Sequence, residues 1–194
     1  MNRALISVYH KEGIEEAAGL LAAAGWEILS TGGTAAHLRE RGIASTDVAA
    51  VTGFPEILDG RVKTLHPHVF GPILARDDAR HREQLAGIGQ PPIALVMVNF
   101  YPFAETLRSG VREESALVEK IDIGGPSMVR AAAKNFQRVV VVVDPADYLP
   151  IARTLAAGGE IPLAERRRLA RKAFSLTSYY DSLIADWLCG EEEL

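Results

Sequence analysis

The first candidate for chemistry is a cationic segment at residues 60–68, which reads GRVKTLHPH. Arg61 and Lys63 alternate within it, so on an extended chain their side chains would face the same side. Together with Thr64 they could hold a phosphate group or a developing oxyanion, because cations and hydroxyl donors stabilise anionic oxygen. The segment therefore predicts a site for an anion.

His66 and His68 would also share a face of an extended segment. Two histidines without a third ligand make a poor zinc site, so we expect no metal there. The favoured interpretation is that the two rings orient the neighbouring backbone through hydrogen bonds.

Two further segments place hydroxyl groups directly before helical patterns. Residues 7–11 read SVYHK and follow an apolar run, and residues 30–34 read STGGT and follow another. A helix N-terminus carries positive partial charge and free N–H groups, so both segments are candidate anion sites. The two glycines let the backbone approach a ligand closely, and Thr31 and Thr34 could cap the helix or bind phosphate oxygens. The alternatives are that Lys11 is a solvated surface side chain and that residues 30–34 form an ordinary turn.

Asp122 is flanked by Ile121 and Ile123 and directly precedes a Gly-Gly pair and a helical pattern. Isoleucine neighbours would partly desolvate the carboxylate and raise its basicity, which suits a general base. The alternative is that Asp122 only caps the helix. Arg130 and Lys134 follow at i,i+4 spacing, and two like charges on one helical face are unfavourable unless an anion lies nearby. The alternative is that both side chains lie on a solvated face.

Asn99 and Tyr101 follow the apolar run Ile93–Val98. At the end of a buried strand, an amide and a phenol could contact a planar polar ligand. The alternative for Tyr101 is packing, which is the commoner use of an aromatic side chain.

Apolar runs of strand length alternate with helical patterns along the chain. Strands are predicted at 4–8, 26–29, 45–51, 93–98 and 139–143. Helices are predicted at 12–24, 34–41, 113–120, 126–135, 147–157 and 163–188. This order is typical of a parallel sheet with helices on both faces, in which ligands bind beyond the carboxyl ends of the strands.

The composition is that of a globular protein, with 194 residues, 48% apolar residues and a net charge of −4. We expect one domain at 1–188 and a short tail at 189–194. The acidic balance excludes a chain-wide basic surface for nucleic acid. The longest apolar run, Val139–Val143, is too short to span a membrane, and the N-terminus lacks a secretory pattern. With Cys189 as the single cysteine, a cytoplasmic location is predicted.

In this order, the motifs resemble the IMP cyclohydrolase domain of bifunctional purine-biosynthesis proteins. The matching stretches are SV..KEG (7–13), STGGT (30–34), TGFPEILDGRVKTLHP (52–67), NFYPF (99–103), EKIDIGGPSMVRAAAKN (119–135), VVDPADY (142–148) and AF.LTS.YD..IA.WL (173–188). The resemblance covers essentially the whole chain.

The resemblance implies a methylglyoxal-synthase-like, three-layer α/β/α fold with a mostly parallel sheet. It also implies that 5-formamidoimidazole-4-carboxamide ribotide (FAICAR) is closed to inosine monophosphate (IMP) with loss of water, without cofactor or metal. A homodimer is expected from the resemblance and from the apolar face of the final helix. The AICAR formyltransferase domain that usually accompanies this domain is absent from these residues. The sequence leaves open whether the chain is a stand-alone enzyme, with a separate formyltransferase as its partner, or a part of a bifunctional protein.

Carried over by position, the resemblance places chemistry on Lys63, Tyr101, Asp122 and Lys134. Which of Asp122 and Lys134 is the base and which the acid stays open. The same resemblance implies substrate contacts at Ser7, Tyr9, His10, Lys11, Thr31, Gly32, Gly33, Thr34, Arg61, Val62, Thr64, Val98, Asn99, Ile123, Gly124 and Gly125.

Four positions depart from the usual pattern of these relatives. Tyr9 and His10 replace smaller or acidic residues, while Phe70 and Pro72 replace a histidine and a glycine. A catalytic histidine at position 70 is therefore excluded.

Two other functions remain open, a methylglyoxal-synthase-like lyase and a non-catalytic nucleotide-sensing domain like the regulatory domain of carbamoyl-phosphate synthetase.

Overall fold

A five-stranded sheet forms the centre of the protein, whose computed structural model describes residues 2–58 and 61–189. Its strands, in chain order, are β1 (Arg3–Ser7), β2 (Glu27–Ser30), β3 (Thr46–Asp47), β4 (Leu95–Val98) and β5 (Val140–Val142). The sheet strands pair in parallel throughout, in the spatial order β3-β2-β1-β4-β5. β1 therefore lies in the middle, between β2 and β4.

Helices cover both faces of the sheet and complete a three-layer α/β/α fold. They are α1 (Ile14–Ala23), α2 (Gly32–Glu40), α3 (Val48–Thr52), α4 (Pro67–Leu74), α5 (Ala79–Gly87), α6 (Phe103–Arg108), α7 (Glu114–Val118), α8 (Gly124–Lys134), α9 (Pro145–Ala156) and α10 (Leu163–Cys189). α1 packs against α9, whereas α8 packs against α4 and α10. The predicted α/β class and the parallel sheet are confirmed.

The central strands carry continuous apolar runs, residues 4–6 in β1 and 95–98 in β4, because both of their faces are covered. Leu5 and Ile6 of β1 are fully buried, as are Val96 and Met97 of β4. Such strands lack the alternation of polar and apolar residues that marks a half-exposed sheet. This feature explains why the sequence pattern located them well.

The predicted strand at 45–51 is wrong over most of its length. Only Thr46 and Asp47 pair with β2, and α3 begins at Val48. The Asp47 carboxylate accepts a hydrogen bond from the Ala49 N–H at 2.8 Å, so a side-chain cap starts a helix where the apolar run had suggested strand.

Three helices between 66 and 108 were not predicted. α4 begins with Pro67 as its first residue, and Asp78 caps α5 by accepting the His81 N–H at 2.8 Å. α6 is a short helix directly after the aromatic segment that follows β4. These helices are short or carry a proline, so the apolar periodicity that marks longer helices is weak in them.

The order of the strands brings the ends of β1, β2 and β4 together. Ser7 is in register with Val98, and Ile6 is in register with Ser30. The chain proceeds from β1 to β2 on one side, while β4 and β5 lie on the other, so the strand order reverses next to β1. In open parallel sheets, ligands bind outside the carboxyl ends of the strands at such a point.

α10 extends from Leu163 to Cys189, which agrees with the predicted final helix. Residues 190–194 of the predicted tail lie outside the described residues. Among the helices that the structure describes, none is both long and apolar enough to cross a bilayer.

Candidate active site

A cavity of about 910 Å³ opens beyond the carboxyl ends of β1, β2 and β4. Its walls come from five segments that the fold brings together, namely 7–11, 31–34, 61–65, 98–101 and 118–128. A volume of this size is at the upper end of the range for small-molecule sites and is sufficient for a nucleotide. The cavity lies where the sheet topology predicts a ligand.

Most of the residues singled out in the sequence line this cavity. They are Ser7, Tyr9, Lys11, Thr31, Gly32, Gly33, Thr34, Arg61, Lys63, Thr64, Val98, Asn99, Tyr101, Asp122, Ile123, Gly124 and Gly125. His10, Val62 and Lys134 are not among the lining residues.

Lys134 is the predicted catalytic residue that the fold does not bring into the cavity. It is exposed and lies at the last position of α8, whereas Gly124 at the first position lines the cavity. Lys134 is ten positions after Gly124, which corresponds to about 15 Å along the helix axis. Within this chain, Lys134 therefore does not reach the atoms that Asp122 faces.

His10 and Val62 point to other partners. His10 Nε2 lies 3.1 Å from a Glu105 carboxylate oxygen. Val62 pairs through its backbone with Ile57 in an isolated antiparallel bridge. Both residues thus contact other parts of the chain and do not line the cavity.

The first turn of α2, at Gly32 and Gly33, lies beside two lysine ammonium groups, and we call this arrangement the α2 cradle. A Cβ built on Gly32 would lie 3.7 Å from Lys63 Nζ, and one built on Gly33 would lie 3.9 Å from Lys11 Nζ. Lys11 Nζ also donates to the carbonyls of Val8 (3.2 Å) and Tyr9 (3.0 Å), and burial lowers its pKa. Two lysines beside the N–H groups of a helix start suit a phosphate group.

The hydroxyl groups around this cradle are engaged within the protein. Ser7 Oγ and Thr31 Oγ1 share a hydrogen bond of 2.8 Å. Thr34 Oγ1 accepts the Val8 N–H at 3.0 Å and donates to the Val8 carbonyl at 2.8 Å. Neither threonine caps α2 through its side chain, contrary to the expectation. Their hydroxyls instead hold the end of β1 against the start of α2.

Asp122 both faces the cavity and fixes the start of α8. Its Oδ1 accepts the Gly125 N–H at 2.8 Å, and its Oδ2 accepts the Tyr101 N–H at 3.4 Å. Burial raises the pKa of Asp122, although these N–H groups and the charge of Lys63 act in the opposite direction. Burial thus acts on the pKa in the direction that the sequence predicted, and the bond to Gly125 shows that Asp122 also contacts the first turn of α8.

Glycines 124 and 125 are required because the cavity wall is closely packed there. A Cβ on Gly124 would lie 2.8 Å from Thr64 Oγ1, and one on Gly125 would lie 2.5 Å from Asp122 Oδ2. Any side chain at these positions would displace Thr64 or Asp122.

Two tyrosines form an aromatic edge of the cavity. The rings of Tyr9 and Tyr101 meet edge to face with centroids 5.7 Å apart, and each residue is about two-fifths exposed. Tyr9 is one of the departures from the usual pattern, and its ring adds apolar surface beside Tyr101. This edge suits a planar heterocycle.

The Asn99 amide shapes the loop after β1 instead of being free to contact a ligand. Its Oδ1 accepts the N–H of Tyr9 and of His10, while its Nδ2 donates to the His10 carbonyl at 2.9 Å. The same Nδ2 donates to the buried Tyr148 hydroxyl at 3.2 Å. All of these contacts are internal, so Asn99 positions the Tyr9 loop.

Two glutamates pair with the predicted anion-binding cations. Arg61 forms an ion pair with Glu119, and Lys63 Nζ lies 3.6 Å from a Glu56 carboxylate oxygen. Neither glutamate stands out as a candidate site residue in the sequence pattern. Glu119 could have been identified from its position in the same uninterrupted motif as Asp122.

The histidine pair orients backbone as the sequence suggested. His66 Nδ1 accepts the His68 N–H at 3.1 Å, and His68 Nδ1 bonds the Val51 carbonyl at 3.2 Å. Over residues 2–58 and 61–189, no group of three or more His, Cys, Asp or Glu side chains could hold a metal ion. The two departures in α4, Phe70 and Pro72, lie away from the cavity lining.

Comparison with known proteins identifies the family. Residues 13–127 match the MGS-like domain, and residues 132–194 match the AICARFT/IMPCHase bienzyme family. The chain belongs to the MGS-like domain family. Asp122 and the other cavity residues between 13 and 127 lie within the MGS-like match, whereas α9 and α10 lie within the second match.

The most similar proteins include bifunctional purine biosynthesis proteins. This MGS-like chain is 54% identical over 184 residues to PurH of Aquifex aeolicus, covering 94% of the chain and 36% of that protein. It is 54% identical over 191 residues to PurH of Deinococcus radiodurans, covering 98% of the chain and 36% of that protein. The chain thus spans about 36% of the length of these relatives, and the resemblance seen in the sequence is confirmed.

A solved structure supports the fold of this MGS-like domain. The crystal structure of ForH superimposes with a TM-score of 0.84 at 37% sequence identity, and the match covers 95% of this chain and 97% of that one. The three-layer arrangement is therefore shared with an experimentally determined relative.

Proposed function

We propose that this protein is an IMP cyclohydrolase, which closes FAICAR to IMP with loss of water. The observation that carries the proposal is the juxtaposition of a half-buried carboxylate, Asp122, with the Lys63 ammonium and Tyr101 around one cavity. The lysine-flanked start of α2 lies in the same cavity and suits the ribose phosphate. The similarity to PurH proteins and to the AICARFT/IMPCHase family supports this substrate.

The reaction joins two groups of one molecule, so positioning is the largest contribution expected of the protein. The carboxamide nitrogen attacks the formyl carbon, and a carboxamide is a weak nucleophile. A phosphate held at α2 and a heterocycle held at the Tyr9–Tyr101 edge would restrain FAICAR near its reactive conformer.

Asp122 accounts for the proton transfers. During addition, the carbon–nitrogen bond forms as the formyl C=O π bond opens, and the Asp122 carboxylate takes a proton from the carboxamide nitrogen and delivers it to the formyl oxygen. During elimination, Asp122 takes a proton from the formamide nitrogen and delivers it to the hydroxyl, and the carbon–oxygen bond breaks to release water as the C=N bond forms. A carboxylate with a raised pKa is suited to both directions of transfer. A separate acid at Lys134 is not needed for this balance.

Lys63 is proposed to stabilise the negative charge on the formyl oxygen during addition. Its ammonium group lies beside Gly32 at the start of α2, and its charge lowers the pKa of the Asp122 carboxyl. Donors aimed at a developing oxyanion contribute roughly 3–4 kcal/mol. Tyr101 assists from the edge of the cavity.

The proposal involves no metal or organic cofactor. A formyltransferase, on another chain or joined to this one, would supply FAICAR. We further propose a cytoplasmic homodimer, supported by the exposed apolar side chains Phe174 and Leu188 on α10. Light scattering of the purified protein tests the dimer, with a monomer mass contradicting it.

The substrate is tested by incubating the purified protein with FAICAR and, separately, with dihydroxyacetone phosphate. We expect IMP from the first incubation and no methylglyoxal from the second. Methylglyoxal without IMP would instead support the lyase. Binding of IMP without turnover of either compound would support a nucleotide-sensing domain.

A further inference from the structure

We propose that Tyr180 of α10 is a positioning residue, which holds the turn that carries Asp122 in its place at the cavity. The Tyr180 hydroxyl accepts the Asp122 N–H at 2.7 Å and donates to the Lys120 carbonyl at 3.0 Å. One side chain thus bridges both ends of the turn 120–122. The inference rests on the proposed function, in which the Asp122 carboxylate transfers protons.

The ring of Tyr180 is fixed by its surroundings, so the hydroxyl is aimed at one place. Tyr180 is only 6% exposed. Its ring meets Phe100 edge to face at 5.1 Å and Phe103 at 6.4 Å between centroids. Burial raises the pKa of Tyr180 to about 12, so the hydroxyl stays protonated and keeps both its donor and its acceptor at neutral pH.

Tyr180 acts through Asp122 and not on the ligand. Asp122 and its neighbours from 118 to 125 line the cavity, whereas Tyr180 does not. The backbone N–H of Asp122 would lose its partner if the hydroxyl were removed, and an unpaired buried donor is costly. We therefore expect the turn to shift and the carboxylate to leave its reactive position.

The position of Tyr180 along the chain extends the site beyond the MGS-like match. That match ends at residue 127, and α10 belongs to the match with the AICARFT/IMPCHase family. The final helix thus contributes to the geometry of Asp122 as well as to the core.

The test compares Tyr180→Phe with Tyr179→Phe. Tyr179 is the adjacent residue on the same helix, but it is 52% exposed and its hydroxyl accepts from Arg108 Nη2 at 3.0 Å, away from Asp122. For Tyr180→Phe we expect kcat on FAICAR to fall about 10-fold to 100-fold, as small misplacements of a reacting group do. The Kd for IMP should change little, and Tyr179→Phe should resemble the wild type in both values.

A second measurement separates this inference from the proposed function. The pKa of the Asp122 carboxyl, measured by ¹³C NMR, should fall towards its ordinary value in Tyr180→Phe because the loosened turn exposes the carboxylate. Lys63, the cation that faces Asp122, is the same in both variants. If the wild type makes no IMP, the proposed function fails, and this titration still decides the role of Tyr180.

Two results would overturn the inference. One is a wild-type kcat together with an unchanged Asp122 pKa in Tyr180→Phe. The other is an equal loss of IMP affinity and kcat/KM alongside a lower Tm, which would make Tyr180 a general stabilising residue. If Tyr180→Phe does not fold, para-fluorophenylalanine at position 180 replaces it, since its fluorine fills the space of the hydroxyl but cannot donate to the Lys120 carbonyl and is a poor acceptor for the Asp122 N–H. An unchanged Asp122 pKa and kcat in that variant would count against the inference in the same way.

Discussion

Asp122 accepts the backbone N–H of Gly125 through Oδ1 at 2.8 Å, so the proposed catalytic base also fixes the start of α8. The second carboxylate oxygen accepts only a longer bond of 3.4 Å from the Tyr101 N–H. Oδ2 is therefore the less constrained oxygen and the one better placed to exchange a proton with substrate.

Asp122→Asn should lower kcat strongly while preserving the fold. The amide oxygen can still accept the Gly125 N–H, but an amide cannot take a proton from the attacking nitrogen. General-base catalysis contributes roughly 10²-fold to 10⁴-fold, and we expect a loss of this order. Steady-state kinetics with FAICAR, beside equilibrium binding of IMP, provide the measurement. A kcat close to that of the wild type would rule out the base.

The same substitution should stabilise the protein at neutral pH. The pKa of Asp122 is raised in the folded chain above its ordinary value of 3.8, so the folded state binds this proton more tightly than the unfolded state does. Above the folded-state pKa, the ionised carboxylate therefore lowers the free energy of unfolding. Thermal unfolding should show a higher Tm for Asp122→Asn at pH 7, with the gain shrinking as the pH falls towards 3.8. A lower Tm at pH 7 would show that the ionised carboxylate stabilises the fold.

Lys63→Ala should act mainly on kcat. Negative charge on the formyl oxygen exists in the transition state and not in the bound substrate, so loss of the ammonium should weaken the transition state selectively. We expect kcat to fall roughly 10²-fold to 10³-fold, as for a removed oxyanion donor, with a much smaller rise in the Kd for IMP because one of the two lysine charges beside the α2 cradle is lost. Equal losses in binding and kcat/KM would make Lys63 an anchor for the ground state instead.

Lys11→Ala should act mainly on KM and serves as the matched lysine variant. Lys11 Nζ lies beside Gly33 at the start of α2 and donates to two carbonyls in the same loop. A charged hydrogen bond to the phosphate contributes about 1.5–3 kcal/mol, which predicts a rise in KM of roughly 10-fold to 100-fold. Because the phosphate does not react, kcat should stay near the wild-type value. A fall in kcat with unchanged KM would place Lys11 at the reacting end.

Glu119→Gln should lower KM for FAICAR. Glu119 pairs with Arg61 at the cavity wall, and the pair is exposed. Freeing Arg61 adds a cation for the substrate, but an exposed ion pair contributes at most about 1 kcal/mol, so the gain should stay within roughly fivefold. Steady-state kinetics measure KM for Glu119→Gln, which should fall, and for Arg61→Ala, which should rise. A higher KM for Glu119→Gln would show that the carboxylate itself contacts the substrate.

The sequence predicted the site better than it predicted the elements around it. Continuous apolar strands and the motifs that follow them placed Lys63, Tyr101 and Asp122 at one end of a parallel sheet, because parallel strands present their carboxyl ends together. The partners that tune these residues come from distant parts of the chain. Tyr180 lies 58 residues from Asp122, and no local pattern distinguishes its hydroxyl from the apolar face of α10.

Lys134 is close to Asp122 in the sequence but not in the structure. It lies in the same uninterrupted motif as Asp122, and the resemblance gave both a catalytic role. The helix that begins at Gly124 carries Lys134 away from the cavity, because each residue advances the chain by about 1.5 Å. Proximity in sequence within a helix is thus a poor guide to proximity in a site.

The most direct test of the account is a single-turnover measurement with FAICAR. Excess wild-type protein and, in parallel, Asp122→Asn are mixed with FAICAR, and the formation of IMP is followed by ultraviolet absorbance. We predict that the wild type converts FAICAR stoichiometrically to IMP and that Asp122→Asn, with IMP affinity preserved, does so at least about 10²-fold more slowly. No IMP from the wild type, or equal rates from the two proteins, would contradict the central claim.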